Sequence, residues 1–98
     1  MKIVVKIGGA ALEDDALLHR AALAVKSLGE DHQVAVVHGG GAALTRLLTQ
    51  VGKVSQFVDG LRVTDAETRD LAVMVLAGHM NKKLVAALAA AGQPAVGL

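Results

Sequence analysis

The sequence predicts an α/β protein built around a parallel sheet. The prediction rests on a repeated sequence pattern, on the usual geometry of strands joined through helices and on the length of the chain. A β-branched strand pattern, a run of glycines and a helical pattern follow one another twice within the first 52 residues. Strands joined through a helix are expected to lie parallel, with a right-handed crossover. The length of 98 residues allows one small domain and hardly more. Both glycine loops should therefore lie at the carboxyl edge of one sheet, where ligands of such folds usually bind.

The first unit opens at residues 3–7, Ile-Val-Val-Lys-Ile, which predict a short buried strand that ends at Gly8 and Gly9. After the acidic residues 13–15, apolar residues recur at helical spacing from Leu17 to Leu28. Acidic side chains at its start and Gly29 at its end are typical of a helix. We expect a surface helix with one buried face.

The second unit repeats the same order of elements. Residues 34–37 form an apolar strand pattern, and His38 leads into the three glycines 39–41. A second helical face follows and ends at Gly52; its apolar members are Leu44, Leu47, Leu48 and Val51. The order of strand, glycine loop and helix thus appears twice.

The chain beyond Gly52 predicts a hairpin and then helix. Asp59-Gly60 lies between two β-rich segments, which is a strong hairpin pattern. Thr64 and Glu67 fit a capping box, so a helix should begin near Asp65. Residues 65–91 are either one helix weakened at Gly78 or two helices, the second capped by Asn81, and the sequence leaves both open. After Gln93-Pro94, residues 95–98 predict the first half of another strand.

Composition excludes several classes of function. Ten basic and nine acidic residues give a net charge of +1, so attraction to nucleic acid or lipid is not the leading idea. A single aromatic residue, Phe57, excludes base-stacking platforms, and the absence of cysteine excludes disulfides, thiolate zinc sites and cysteine nucleophiles. We see neither a secretory signal nor an uncharged run of about 18 residues, so a cytoplasmic location is expected.

The glycine loops are the first candidate site. Glycines between a strand and a helix expose backbone N–H groups that suit phosphate or carboxylate. Neither loop matches the phosphate-binding G-x-x-x-x-G-K-[ST] motif, and Leu44 stands where the third glycine of the dinucleotide motif belongs. Each loop alone reads as a tight turn, but two on one sheet edge favour an anion site.

Two cations sharpen that hypothesis. Lys6 interrupts an apolar strand beside the first glycines, so its ammonium is placed to neutralise a transferring phosphoryl group, unless its stem only carries the charge to solvent. Arg62 follows the Asp-Gly turn and could clamp a substrate carboxylate, although arginines on hairpins are usually solvated.

His38 has no nucleophile or acid at recognisable spacing, so we expect a hydrogen bond that fixes the loop and no catalytic role. The four histidines show no metal-ligand spacing.

Taken together, the motifs resemble the amino acid kinase family, and within it the branch that phosphorylates N-acetyl-L-glutamate in arginine biosynthesis. The resemblance covers residues 2–98 and rests on blocks that occur in the family's order. These are Lys6-Ile7-Gly8-Gly9, Val37-His38-Gly39-Gly40-Gly41, Asp59-Gly60-Leu61-Arg62-Val63-Thr64, Leu76-Ala77-Gly78 and Asn81-Lys82. It implies an αβα sandwich with a parallel sheet, and transfer of the ATP γ-phosphoryl group, with Mg²⁺, to the side-chain carboxylate of N-acetyl-L-glutamate.

The resemblance also implies roles for individual residues. Lys6 would be catalytic and stabilise the transferred phosphoryl group, and Gly8 and Gly9 would offer N–H groups to the nucleotide phosphates. Gly39 and Gly40 would cradle acetylglutamate, and Arg62 would hold its α-carboxylate. No metal ligand is implied among these residues, and a homodimer through the helical region after Arg62 is expected.

Members of this family are much longer, so residues 1–98 should correspond to the amino-terminal, acetylglutamate-binding portion of the domain, apparently truncated. We expect little turnover from this chain alone. Two alternatives stay open: another amino acid kinase, such as one that acts on carrier-bound aminoadipate, or a non-catalytic fragment that binds an anion.

Overall fold

A computed structural model describes all residues from Met1 to Leu98. Its central feature is a pair of parallel strands, β1 (Lys2–Ile7) and β2 (Gln33–His38), in register from Lys2 opposite Gln33 to Ile7 opposite His38. Both strands end at a glycine loop, so the two loops lie side by side at the carboxyl edge. The predicted α/β fold with parallel strands is confirmed.

Only one face of this sheet is covered. In β1, Ile3, Val5 and Ile7 alternate with the exposed Lys2, Val4 and Lys6. Val4 is 72% exposed on the open face, so the strand is buried on one side only and the prediction of a buried strand was wrong in this respect. The reason is that the helices of this chain pack against one face, and alternation then gives each strand one core side and one solvent side.

Three helices surround the glycine loops: α1 (Gly9–Glu13), α2 (Asp15–Gly29) and α3 (Gly41–Gln50). The short α1 was not predicted. Asp14 separates it from α2, and its side chain accepts a hydrogen bond of 3.0 Å from the Leu17 N–H, which caps α2. These helices contribute four leucines to the core, and two of them, Leu12 and Leu48, are almost completely buried.

Residues 51–62 form a loop that returns to α3. Two short antiparallel strands, β3 (Phe57–Val58) and β4 (Leu61–Arg62), are joined through Asp59 and Gly60. Both turn residues have positive φ, 50° and 77°, as a tight two-residue hairpin turn requires. The turn places Arg62 at the end of β4, facing back toward the helices.

A continuous helix of 25 residues, Ala66–Ala90, follows. It consists of α4 (Ala66–Val73), a π-helical segment (Met74–Met80) and α5 (Asn81–Ala90). Gly78 therefore does not end the helix; it lies within the π-helical turns. The predicted capping box was wrong, because Asp65 caps the helix by accepting from the Thr68 N–H at 2.9 Å, while the Thr64 hydroxyl donates to the Arg62 carbonyl.

This helix is long and apolar enough to cross a membrane by length and composition alone, with a mean hydropathy of 1.3 over its most apolar window. Lys82 and Lys83 interrupt it, and charges within a membrane span are costly. Its inner side chains pack into the core; they are Val75, Met80, Leu84 and Leu88. We assign it to the helical layer of the domain.

Residues 95–98 do not form the predicted strand. A cavity of about 810 Å³ lies between them and β2, and β2 pairs with β1 alone. The Gly97 carbonyl instead accepts a hydrogen bond of 3.2 Å from Lys82, and Val96 and Leu98 are largely exposed.

Candidate functional site

The two glycine loops touch each other. The Gly39 N–H donates to the Ile7 carbonyl at 3.2 Å, which continues the β1–β2 ladder by one residue. A β-carbon placed on Gly9 would lie 2.8 Å from the Gly40 nitrogen and 2.9 Å from its α-carbon. The backbones approach this closely only because both positions lack side chains. One continuous patch of main chain therefore forms the carboxyl edge of the sheet.

The helices that leave these loops begin without side-chain caps. No side chain caps α1 after Gly8 or α3 after Gly40, whereas Asp14 and Asp65 cap α2 and α4. The first N–H groups of a helix have no partner within it. The loop before α3 therefore presents unpaired donors and the positive end of a ten-residue helix.

Arg62 lies against the first turns of α3. Its Nη2 donates to the Gly41 carbonyl at 3.2 Å and to the Thr45 hydroxyl at 3.0 Å, and its Nη1 donates to the Ser55 hydroxyl at 2.8 Å. The guanidinium also lies 4.7 Å from the centre of the Phe57 ring. The cation that the sequence singled out is thus held next to the second glycine loop. Its partners Thr45 and Ser55 were not predicted, because hydroxyl residues carry no pattern that marks such a contact.

Lys6 lies on the open face of the sheet, opposite Val37 and two residues before Gly8. It is exposed and makes no hydrogen bond or ion pair within the chain. The structure therefore leaves its ammonium available at the end of β1. The same geometry would also serve the alternative of a solvated lysine.

His38 holds the second loop through hydrogen bonds, as the sequence predicted. Its Nδ1 lies 3.0 Å from the Gly39 carbonyl oxygen, and its Nε2 lies 3.2 Å from the Asn81 side-chain nitrogen. Asn81 is the first residue of α5. The sequence marked it as a possible helix cap and within the Asn81-Lys82 block, but its contact with His38 was not predicted.

Ion pairs brace the elements around the site. Arg46 of α3 pairs with Glu13 of α1, and its hydrogen bonds lower the pKa of the Glu13 carboxyl. Lys53 bridges Asp65 at 2.7 Å and Glu67 at 3.3 Å, which ties the loop after α3 to the start of α4. The hydrogen bond from Lys53, helped by those from Thr68, holds the pKa of Asp65 well below its usual range, and Asp65 in turn raises the pKa of Lys53.

The cavity of about 810 Å³ lies beside the edge of β2 and is bounded by α5 and the terminal segment. The glycines of the two loops and Arg62 do not line it, so its volume is not the candidate site. No group of three or more histidine or carboxylate side chains could hold a metal ion.

The whole chain, residues 1–98, matches the family model described as the amino acid kinase family. The chain belongs to the amino acid kinase family. The resemblance inferred from the glycine loops, the arginine block and the Asn81-Lys82 block is confirmed.

Two curated amino acid kinases illustrate how similar the relatives are. The chain is 63% identical to the acetylglutamate kinase of Acidobacterium capsulatum and 60% identical to that of Koribacter versatilis. Each alignment covers all of this chain and 38% of the relative. The chain thus spans well under half the length of the curated relatives that it matches.

Solved structures agree on the fold. N-acetylglutamate synthase from Neisseria gonorrhoeae, solved with coenzyme A and N-acetyl-glutamate, superposes with a TM-score of 0.78 at 27% identity, covering 97% of this chain and 22% of that one. A protein of Streptococcus mutans gives a TM-score of 0.77 at 30% identity, covering 93% of this chain and 37% of that one. The arrangement of β1, β2 and the helices is therefore the amino acid kinase arrangement.

Proposed function

We propose that the chain is the N-acetyl-L-glutamate-binding portion of an acetylglutamate kinase of arginine biosynthesis. Arg62 carries this proposal, because its guanidinium lies beside Gly41 and against α3 at the glycine loops. A carboxylate bound there would meet a planar cation and the open N–H groups of a helix start. The names and identities of the relatives support the same activity.

The reaction is the transfer of the γ-phosphoryl group of ATP to the side-chain carboxylate of the substrate. A carboxylate oxygen attacks the γ-phosphorus, a new P–O bond forms, the bond to the β,γ-bridging oxygen breaks, and ADP leaves with the electron pair. No base is needed, because the carboxylate is already ionised at neutral pH. The protein's task is positioning and neutralisation of charge.

Each candidate residue has a role in that scheme. Arg62 holds the α-carboxylate: three of its N–H groups have partners in the chain, which leaves part of the guanidinium for a ligand. The backbone at Gly39 and Gly40 cradles the substrate. The Gly39 N–H is already bonded to Ile7, so the Gly40 N–H and the first turn of α3 supply the donors.

The residues proposed to bind the phosphoryl group lie at the end of β1 and in the loop that follows it. Gly8 and Gly9 offer N–H groups to the nucleotide phosphates, and Lys6 stabilises the charge on the transferred group. ATP is the co-substrate. Mg²⁺ would accompany the nucleotide, held largely by its phosphates and water.

We also propose a cytoplasmic homodimer. Large apolar side chains stand exposed along the start of the long helix and the strand before it, a surface that a second copy could bury; they are Leu61, Val63, Val73 and Met74. Sedimentation equilibrium of wild type and Met74→Glu tests this. A dimer that the substitution weakens is expected, and a wild-type monomer at high concentration would contradict the proposal.

The substrate is tested by calorimetry with N-acetyl-L-glutamate, with L-glutamate and N-acetyl-L-aspartate as matched controls. We expect N-acetyl-L-glutamate to bind more tightly than either control. Trapping of acyl phosphate as hydroxamate in the presence of ATP then separates binding from catalysis, and we expect little turnover from residues 1–98. Absence of binding at millimolar concentrations of all three acids would count against the acetylglutamate site.

A further inference from the structure

A chain of polar side chains connects α5 to the second glycine loop. Lys82 Nζ lies 3.0 Å from Asn81 Oδ1, Asn81 Nδ2 lies 3.2 Å from His38 Nε2, and His38 Nδ1 lies 3.0 Å from the Gly39 carbonyl oxygen. Lys82 also donates to the Gly97 carbonyl at 3.2 Å. None of these side chains has a role in the phosphoryl transfer described above.

The chemistry of these groups allows only one assignment of the protons. An ammonium donates and never accepts, so the Asn81 atom that faces Lys82 is the amide oxygen. The amide NH₂ group then faces His38 and can only donate to it, so His38 Nε2 must accept. A neutral imidazole with an accepting Nε2 carries its proton on Nδ1, and that N–H donates to the Gly39 carbonyl.

Fixing this carbonyl fixes a peptide plane. The Gly39 C=O and the Gly40 N–H belong to one planar unit and point in opposite directions. On its other side, Gly39 is held by its own N–H, which donates to Ile7. The Gly40 N–H, one of the donors assigned to the substrate, therefore keeps a set direction while His38 holds the carbonyl.

The same helix also holds this glycine by apolar contact. A β-carbon on Gly40 would lie 2.6 Å from Leu76 and 3.1 Å from Met80, both in the π-helical segment. The wider turns of a π-helix shift the residues that follow relative to a regular α-helix. Asn81 stands directly after this segment, and its amide lies against His38.

We propose that Asn81 and Lys82 are positioning residues that set the tautomer of His38 and, through it, the orientation of the Gly39–Gly40 peptide. That this peptide serves N-acetyl-L-glutamate rests on the proposed function, whereas the tautomer does not.

The first test needs no ligand. Long-range ¹H–¹⁵N correlation spectra, recorded above the ordinary titration range of histidine, show which imidazole nitrogen carries the proton. We expect Nδ1–H for His38 in the wild type. In Asn81→Asp both side-chain oxygens accept, so the proton should move to Nε2. In Lys82→Met the amide is free to rotate and both tautomers should be populated, whereas Lys83→Met should match the wild type.

Two results would overturn the assignment: an Nε2–H tautomer in the wild type, or unchanged His38 shifts in both Asn81→Asp and Lys82→Met. The wild-type spectrum decides the matter even if a variant fails to fold.

The second test is the binding of N-acetyl-L-glutamate by calorimetry. We expect about five- to tenfold weaker binding by Asn81→Asp, comparable to the loss of one hydrogen bond, with Lys83→Met unchanged. Equal binding by wild type and Asn81→Asp, with the tautomer inverted, would refute the link from tautomer to loop. Absence of binding by the wild type, with the expected tautomers, would refute the proposed ligand and leave the positioning of the peptide standing.

Discussion

Gly9 has no room for a side chain beside Gly40, because an added β-carbon would lie 2.8 Å from the Gly40 nitrogen. The obstacle is backbone, which cannot rotate away as a side chain can. The contact joins the loop after β1 to the loop after β2, and so joins the phosphoryl half of the proposed site to the substrate half.

Gly9→Ala should therefore force the loops apart. We expect the free energy of unfolding to fall by roughly 1–3 kcal/mol, the usual effect of overpacking, measured by urea denaturation. Gly8→Ala is the matched control, since nothing lies within 4 Å of a β-carbon there and its φ of −66° suits alanine. Equal midpoints for the two variants would show that the loops do not meet as described.

The core makes a similar, sharper prediction. Leu48 is 1% exposed, whereas Leu23 on the surface of α2 is 44% exposed. Leu48→Ala should lower the free energy of unfolding by roughly 2–5 kcal/mol, because it leaves a cavity in close-packed surroundings. Leu23→Ala should have a much smaller effect. A Leu48→Ala midpoint in urea close to that of Leu23→Ala would contradict the packing of α3 against α1, α4 and the π-helical segment.

Much of this arrangement could be predicted from sequence. The two repeated units and the rule for parallel strands placed both glycine loops at one edge, because hydrophobic periodicity and glycine stops are local properties. Two of the predictions that were wrong, the buried first strand and the strand at residues 95–98, depended on non-local contacts. Val4 is exposed because no helix covers that face, and residues 95–98 pair with no strand, with a cavity between them and β2.

In the candidate site too, some features could be predicted from local sequence and others could not. Arg62 and His38 were singled out because they follow or precede turn residues, and the structure holds both at the second loop. Their contacts with Thr45 on α3 and Asn81 on α5 could not be predicted, since they join residues 17 and 43 positions apart in sequence. Asp65 caps the helix where Thr64 was predicted to do so. Both residue types are favoured at the N-cap, so the sequence alone does not choose between two adjacent candidates.

Acid should weaken the attachment of the loop after α3. Asp65 has a pKa lowered from its usual 3.8 by Lys53 and by the Thr68 hydrogen bonds. A carboxylate whose pKa is lower in the folded than in the unfolded state stabilises the fold when the pH is above its unfolded-state pKa. This stabilisation is lost as the pH falls below about 4 toward the folded-state pKa. Because the pair is exposed, the change should be a small fall in melting temperature.

Asp65→Asn isolates that contribution, since asparagine keeps the helix cap and removes the charge. Melting curves across the acid range should lose part of their pH dependence in this variant. Asp59→Asn is the control, because Asp59 makes no ion pair. An identical pH dependence for Asp65→Asn and the wild type would rule out the Lys53 bridge as its source.

Arg62 should decide the affinity for N-acetyl-L-glutamate. Arg62→Ala removes the planar cation beside α3 and should weaken binding more than about tenfold. Arg62→Lys keeps the charge without the fork, so most of the loss should remain. Arg69→Ala is the matched control, because Arg69 is exposed and pairs only with the adjacent Asp70. Calorimetry that gives Arg62→Lys the wild-type affinity would show that charge alone suffices there.

Lys6 should contribute to phosphate binding and not to the stability of the fold. It is exposed on the open face of β1 without a partner, and Lys2 lies on the same face of the same strand. Lys6→Met should leave the urea midpoint nearly unchanged, since surface substitutions usually shift stability by less than about 0.5 kcal/mol. In ¹⁵N spectra titrated with inorganic phosphate, the amides of Gly8 and Gly9 should shift in the wild type and in Lys2→Met, and should respond about tenfold more weakly in Lys6→Met. Equal responses in Lys2→Met and Lys6→Met would mean that the ammonium at position 6 acts as bulk charge, and the phosphoryl group would then need another cation to neutralise it.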